Sequence, residues 1–199
     1  MKSPVVVRQR LVLLKQHHDE LDRFFQQLLN DVDSAYRNYK GAAIIADVLA
    51  ALVTLSVDAY NIAVLHLTDV SRAAFAMQSL QFAYSPIKTV LDEMGKTSPD
   101  LSLAQREMGR AGNLLLSVSN IVGNALMPSY WANVFANIGS GHWRTAFTRD
   151  PAREIIVIRN GIARQRAEAL EAMERQINQM EASLGLPLTF YVCRAVLPL

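Results

Sequence analysis

The segment Gly41–Leu67 constrains the fold of this chain more than any other. It reads GAAIIADVLAALVTLSVDAYNIAVLHL and carries two charges, Asp47 and Asp58. It is longer than the roughly 20 residues a helix needs to cross a bilayer. The small residues Ala42, Ala46 and Ala50 would let another helix approach closely. The acids argue the other way. Each Asp near a bilayer centre costs about 2.5–3.5 kcal/mol, whereas each Leu, Ile or Val returns only about 0.3–0.6 kcal/mol. The strong apolar residues between Ala43 and Asn61 barely offset that cost.

Spacing sharpens the reading. Asp47 and Asp58 are separated by close to three turns of an α-helix, so they fall on one line. Asp69 continues the line, and Thr54, Asn61, Thr68 and Arg72 lie within about 60° of it. One narrow polar stripe on an otherwise apolar helix fits the central helix of a bundle, with that strip reaching solvent or a polar seam. The same stripe suits a helix that lines a pore once released from its bundle, and this is the alternative expectation.

Two long amphipathic segments flank the apolar one. Val7, Leu11, Leu14, His18, Leu21, Phe25, Leu28, Val32, Ala35 and Tyr39 alternate steps of four and three. That is a heptad seam of about four and a half repeats. Leu13, Phe24, Leu29 and Tyr36 widen it, as in a bundle helix. Near the other end, Asp150-Pro151 opens a helix whose stripe is Ile158, Ile162, Ala169, Met173, Ile177, Met180 and Leu184, and Gly185 closes it. Between these, a helix is expected from Val70 to Met94, kinked or divided by Pro86. Gly95 should cap its C-terminus. Ser102 with Gln105 makes a capping box for the next helix, which should run through Met127 and stop at Pro128. A short helix carrying Tyr130, Trp131, Val134, Phe135 and Ile138 and a Gly139–Gly141 loop follow. Leu188–Leu197 reads as a strand or a short buried helix.

Composition agrees with a packed helical protein. Apolar residues form 51% of the 199 and charged residues 19%, a chain that buries more surface than most. No charged residue lies between Arg110 and Arg144, yet Asn113, Asn120, Asn124, Asn133 and Asn137 do, which favours a polar-seamed interior over lipid. The net charge of +2 steers no polyanion, and no basic cluster is interleaved with aromatics, so nucleic acid is not the expected partner. All lysines precede Arg106, and every later base is Arg, the cation better suited to paired positions. The single Cys193 cannot form an intrachain disulfide. The N-terminal stretch lacks an uninterrupted apolar run. A cytoplasmic setting is expected.

No constellation for chemistry emerges. His18 and Asp22 are one turn apart, beside His17 and Glu20, but nothing with ligand spacing completes a metal site. His18 instead breaks the apolar seam and could make its packing pH-sensitive. Gly139-Ser140-Gly141-His142 with Arg144 lacks the Gly-Lys-Ser/Thr element of a phosphate loop. No catalytic residue, metal or cofactor is expected. The fold expectation is all-α, an elongated bundle of five or six helices over residues 1–185, with long heptad-patterned first and last helices. Residues 186–199 form an apolar tail that packs on the bundle or a partner. The functional expectation is a non-enzymatic assembly or interaction protein, joining a copy of itself or another helical chain through the Val7–Tyr39 seam and the tail. The alternative is a membrane-active protein, pore-forming or translocating, that stays soluble until its apolar helices are released.

Overall fold

The computed structural model describes residues 4–39, 45–65, 70–122 and 151–190. They form an all-helical bundle of five helices: α1 (Pro4–Asn38), α2 (Ile45–Leu65), α3 (Val70–Met94), α4 (Leu101–Val122) and α5 (Pro151–Ser183). The expected short helix at Tyr130–Ile138, the Gly139–Gly141 loop, the break at Lys40–Gly41 and the tail beyond Phe190 lie outside the described residues.

Helix α2 is the axis. It packs on α3, α4 and α5 and scarcely touches α1, which lies instead against α5 and α3. Val48, Leu49, Ala51, Leu52, Leu55, Ala59, Ile62 and Ala63 are all buried, so α2 is covered on most of its circumference, as a helix apolar nearly all round requires. Its least buried line is Val53, Val57 and Tyr60. Among the described residues no helix is long and apolar enough to cross a membrane.

The α1–α5 pair is antiparallel. Asp33 meets Arg159 and Lys15 meets Glu181, so rising numbers on α1 face falling numbers on α5. The main core joins Phe25, Leu28 and Val32 of α1 to α2, α3, α4 and the Ile155–Met173 part of α5. A second, smaller cluster sits where the start of α1 meets the end of α5. It consists of Leu11, Leu14 and Ile177, with Met180, Leu184 and Phe190 packed against it.

One helix interior and two helix ends depart from the expected details. Pro86 does not divide α3, which is continuous through it. A proline inside a helix costs about 3 kcal/mol or more, but its neighbours Ala83, Ile87 and Val90 are core residues, and their burial holds the helix together. The cap of α4 is Asp100, not Ser102: its Oδ1 accepts the backbone N–H groups of Ser102 and Leu103 at 3.0 and 2.9 Å. Aspartate at that position satisfies two donors that the first turn leaves free. Gly95 is not a left-handed cap, since the only positive φ belongs to Gly185 (66°) among the described residues. What Gly95 supplies is room, because a Cβ there would come within 3.1 Å of the Asn38 Cβ. Gly185 does end α5 as expected. The Leu186 N–H bonds to the Glu181 carbonyl (2.9 Å) and the Gly185 N–H to the Ala182 carbonyl (3.1 Å), the paired bonds of a Schellman motif.

The burial pattern gives a stability prediction. Leu55→Ala, in the fully buried face of α2, should destabilise the chain by about 2–5 kcal/mol in urea unfolding. Val12→Ala, on the exposed side of α1, should stay within about 0.5 kcal/mol.

Candidate functional site

The α1 seam is used inside the chain. Leu11, Leu14, His18, Leu21, Phe25, Leu28, Val32 and Ala35 are buried against the other helices, while Val7 and Tyr39 at the two ends are half-buried. Beside the seam runs a ladder of polar pairs to α5. Lys15 Nζ is 2.6 Å from Glu181 Oε1, and His18 Nε2 is 3.3 Å from Glu174. Arg166 Nε donates to Asp22 at 2.7 Å and Arg159 Nε to Asp33 at 2.6 Å. On α1 these four residues fall within an arc of about 60°. Part-exposed pairs contribute about 0–1 kcal/mol each, so apart from Lys15–Glu181, whose carboxylate is buried, the ladder sets register more than stability.

The polar stripe of α2 is not a solvent face. Thr54, Asp58 and Asn61 are all buried, Asp58 completely. Asn61 Nδ2 has no hydrogen-bond partner among the described residues. Asp47 belongs to α2, but its side chain lies outside the described set, as does the whole of Asp69. Arg72 stands on α3, exposed near its start, so the line read from Asp47 to Arg72 does not run along one helix. Two helices divide it, because α2 ends at Leu65 and α3, which starts at Val70, packs on α2.

An open groove lies between α1 and α3. One hollow of about 470 Å³ is lined by Glu20, Arg23, Phe24, Gln27, Gln81 and Tyr84. A neighbouring hollow of about 400 Å³ shares Glu20 and Gln81 with it and adds Ala74, Phe75, Met77 and Gln78. The floor is aromatic: Phe24 and Tyr84 meet edge to face at 6.0 Å. The Tyr84 hydroxyl is buried and has no hydrogen-bond partner among the described residues, an arrangement that costs about 1–3 kcal/mol while it lasts. Phe75, 57% exposed, lines the second hollow, and Phe82, 64% exposed, lies two turns further along the same line of α3. The heptad reading of α1 included Phe24 only as a seam-widening residue. Phe75 and Phe82 carried a usable signal, a second apolar line one heptad apart on a helix whose core stripe lies elsewhere.

The carboxyls whose pKa is shifted, Asp31, Glu93 and Glu181, lie outside the groove's lining. Glu93, buried in the last turn of α3, accepts from Lys96 and from the Asp100 N–H. The Lys96 bond first, and the Asp100 N–H second, hold its carboxyl below the usual range. Burial pushes the Glu181 carboxyl up, but bonds from Lys15 and from the side chain and backbone of Thr189 outweigh it and leave it lowered. Burial raises the Asp31 carboxyl, against the pull of Lys88. His17 bonds Glu20 at 3.0 Å, and His18 lies between Asp19 and Glu174. Among the described residues no group of three His, Cys, Asp or Glu is placed to hold a metal ion.

A carboxyl lowered in the folded state stabilises the fold above its unfolded value and loses that contribution as pH falls through the folded value. Glu93 and Glu181 should therefore support the bundle at neutral pH and weaken it progressively below about pH 4.3, the ordinary glutamate value. In urea unfolding followed against pH, the Glu93→Gln/Glu181→Gln double variant should be less stable at pH 7 and show a shallower acid limb. An unchanged acid limb would show that other carboxyls set it. No protein-family model, no curated protein and no solved structure matches this chain, so its own geometry carries the functional reading.

Proposed function

We propose that this chain is a non-enzymatic helical assembly protein that packs on a second copy of itself through the α1–α3 face. The observation that carries the reading is the adjacency of knob and hole. Exposed Phe75 lines a groove floored by Phe24 and by a Tyr84 whose hydroxyl has no hydrogen-bond partner among the described residues, and exposed Phe82 follows two turns on along the same line of α3. A two-fold interface needs one patch to be self-complementary, and a protruding aromatic next to an aromatic-floored groove meets that need. Large exposed aromatics are also the residue type enriched at the centres of interfaces. The Val7–Tyr39 seam, by contrast, already packs within the chain, so joining a partner through it would require the bundle to open.

Sedimentation of the full chain over a range of concentrations, with and without detergent, tests the proposal. The unsubstituted chain should self-associate, and Phe75→Asp with Phe82→Asp should weaken association by about tenfold or more, the scale of one or two interface hot spots. A chain that stays monomeric at high concentration, or associates equally well with both substitutions, would sink the reading. Leakage of liposomes exposed to the full chain would instead favour the membrane-active alternative.

A further inference from the structure

The last described residues of the chain are held at the α1–α5 end by contacts of an unusual kind. After Gly185 the connector runs exposed, with Leu186 and Leu188 38% and 46% accessible. Thr189 and Phe190 then dock. The side-chain amide of Asn178 reads both backbone groups of Phe190. Its Nδ2 donates to the Phe190 carbonyl at 2.7 Å, and its Oδ1 accepts the Phe190 N–H at 3.2 Å. Glu181 holds Thr189 by one backbone group and the side chain, accepting the backbone N–H at 2.7 Å and the hydroxyl proton. Lys15 completes the set by donating to Thr189 Oγ1 at 2.7 Å. The Phe190 ring stacks on His18 at 4.7 Å and closes the small cluster of Leu11, Leu14 and Ile177.

From these contacts we infer that the α1–α5 end is a peptide-recognition cleft for a bent segment bearing a hydroxyl–aromatic pair. The chain's own Thr189–Phe190 fills it as a displaceable plug. The occupant is a partner segment in the same bent form with threonine followed by phenylalanine. Three features support this. The polar contacts go to backbone groups and to one hydroxyl, so another Thr-Phe segment with the same bend satisfies them equally. Main-chain bonds give affinity and an apolar pocket for the ring gives specificity, as in other modes of peptide recognition. The plug is joined to α5 only by an exposed connector with a single described backbone tie, from the Leu186 N–H to the Glu181 carbonyl. The site and the shape of its occupant differ from those of the α1–α3 face, so the inference does not depend on self-assembly.

A plug tethered by a short connector acts at an effective concentration of about millimolar. A competing peptide therefore binds the unsubstituted chain weakly and binds better once the plug is disabled. The probe is a fluorescein-labelled, C-terminally amidated peptide of residues 184–192. It should bind full-length Thr189→Ala/Phe190→Ala about tenfold or more tightly than the unsubstituted chain. Adding Asn178→Ala to that variant should cost about tenfold of the gain, because it removes both backbone bonds to the phenylalanine. A peptide with both anchor residues changed to alanine should not bind. Equal affinity for the plugged and unplugged chains, or binding indifferent to Asn178→Ala, overturns the inference. Hydrogen exchange on the unsubstituted chain keeps the test open if the plug variant misfolds. Millimolar unlabelled peptide should deprotect the Thr189 and Phe190 amides and leave those of α1 and α5 protected, and no change at Thr189 and Phe190 overturns it as well.

Discussion

A helix that is apolar on nearly every side must be surrounded, and α2 sets that demand for the whole bundle. Helices α3, α4 and α5 each pack against it, and their own stripes are the surfaces that meet it. Burying a Leu or Ile side chain contributes about 1.5–3 kcal/mol, so Leu52, Leu55 and Ile62 of α2, all fully buried, outweigh any local preference at the helix ends. The same demand explains why α3 stays continuous across Pro86. A break there would uncover Ile87 and Val90, which belong to the core that covers α2.

Helix α1 has a different task. It scarcely touches α2 and instead closes the bundle by lying antiparallel to α5. Apolar contact alone tolerates sliding by a turn. The polar pairs from Lys15–Glu181 to Asp33–Arg159 do not, since a shift of one turn would separate every pair at once. Most are part-exposed and individually weak. Lys15–Glu181 differs, because Glu181 is buried and breaking a buried pair leaves an uncompensated charge. That carboxylate also receives Thr189, which ties the closing of the α1–α5 pair to the docking of the segment after it. The two candidate surfaces follow from this arrangement. The groove lies between α1 and α3, and the cleft forms where the start of α1 meets the end of α5.

The sequence alone determined the all-helical class, the seam of α1, the stripe of α5 and its glycine end. Each rests on residues near one another along the chain: periodicity along one helix, or a glycine at a terminus. Asn178, Glu181 and Lys15 carried no such signal, because what unites them is the Thr189–Phe190 backbone, which reaches them only after the chain has turned back at Gly185. The α2 stripe marks the boundary between the two kinds of information. Spacing placed Thr54, Asp58 and Asn61 on one line, but whether that line met water or the interior depended on how many helices surround α2. Only the tertiary structure decided that it is buried, since covering α2's apolar surface on several sides leaves no room for its polar edge to stay wet. For the same reason Arg72, in line by arithmetic, belongs to another helix. A helical wheel assumes one unbroken helix, whereas α2 ends at Leu65 and Arg72 stands on α3, which packs on α2.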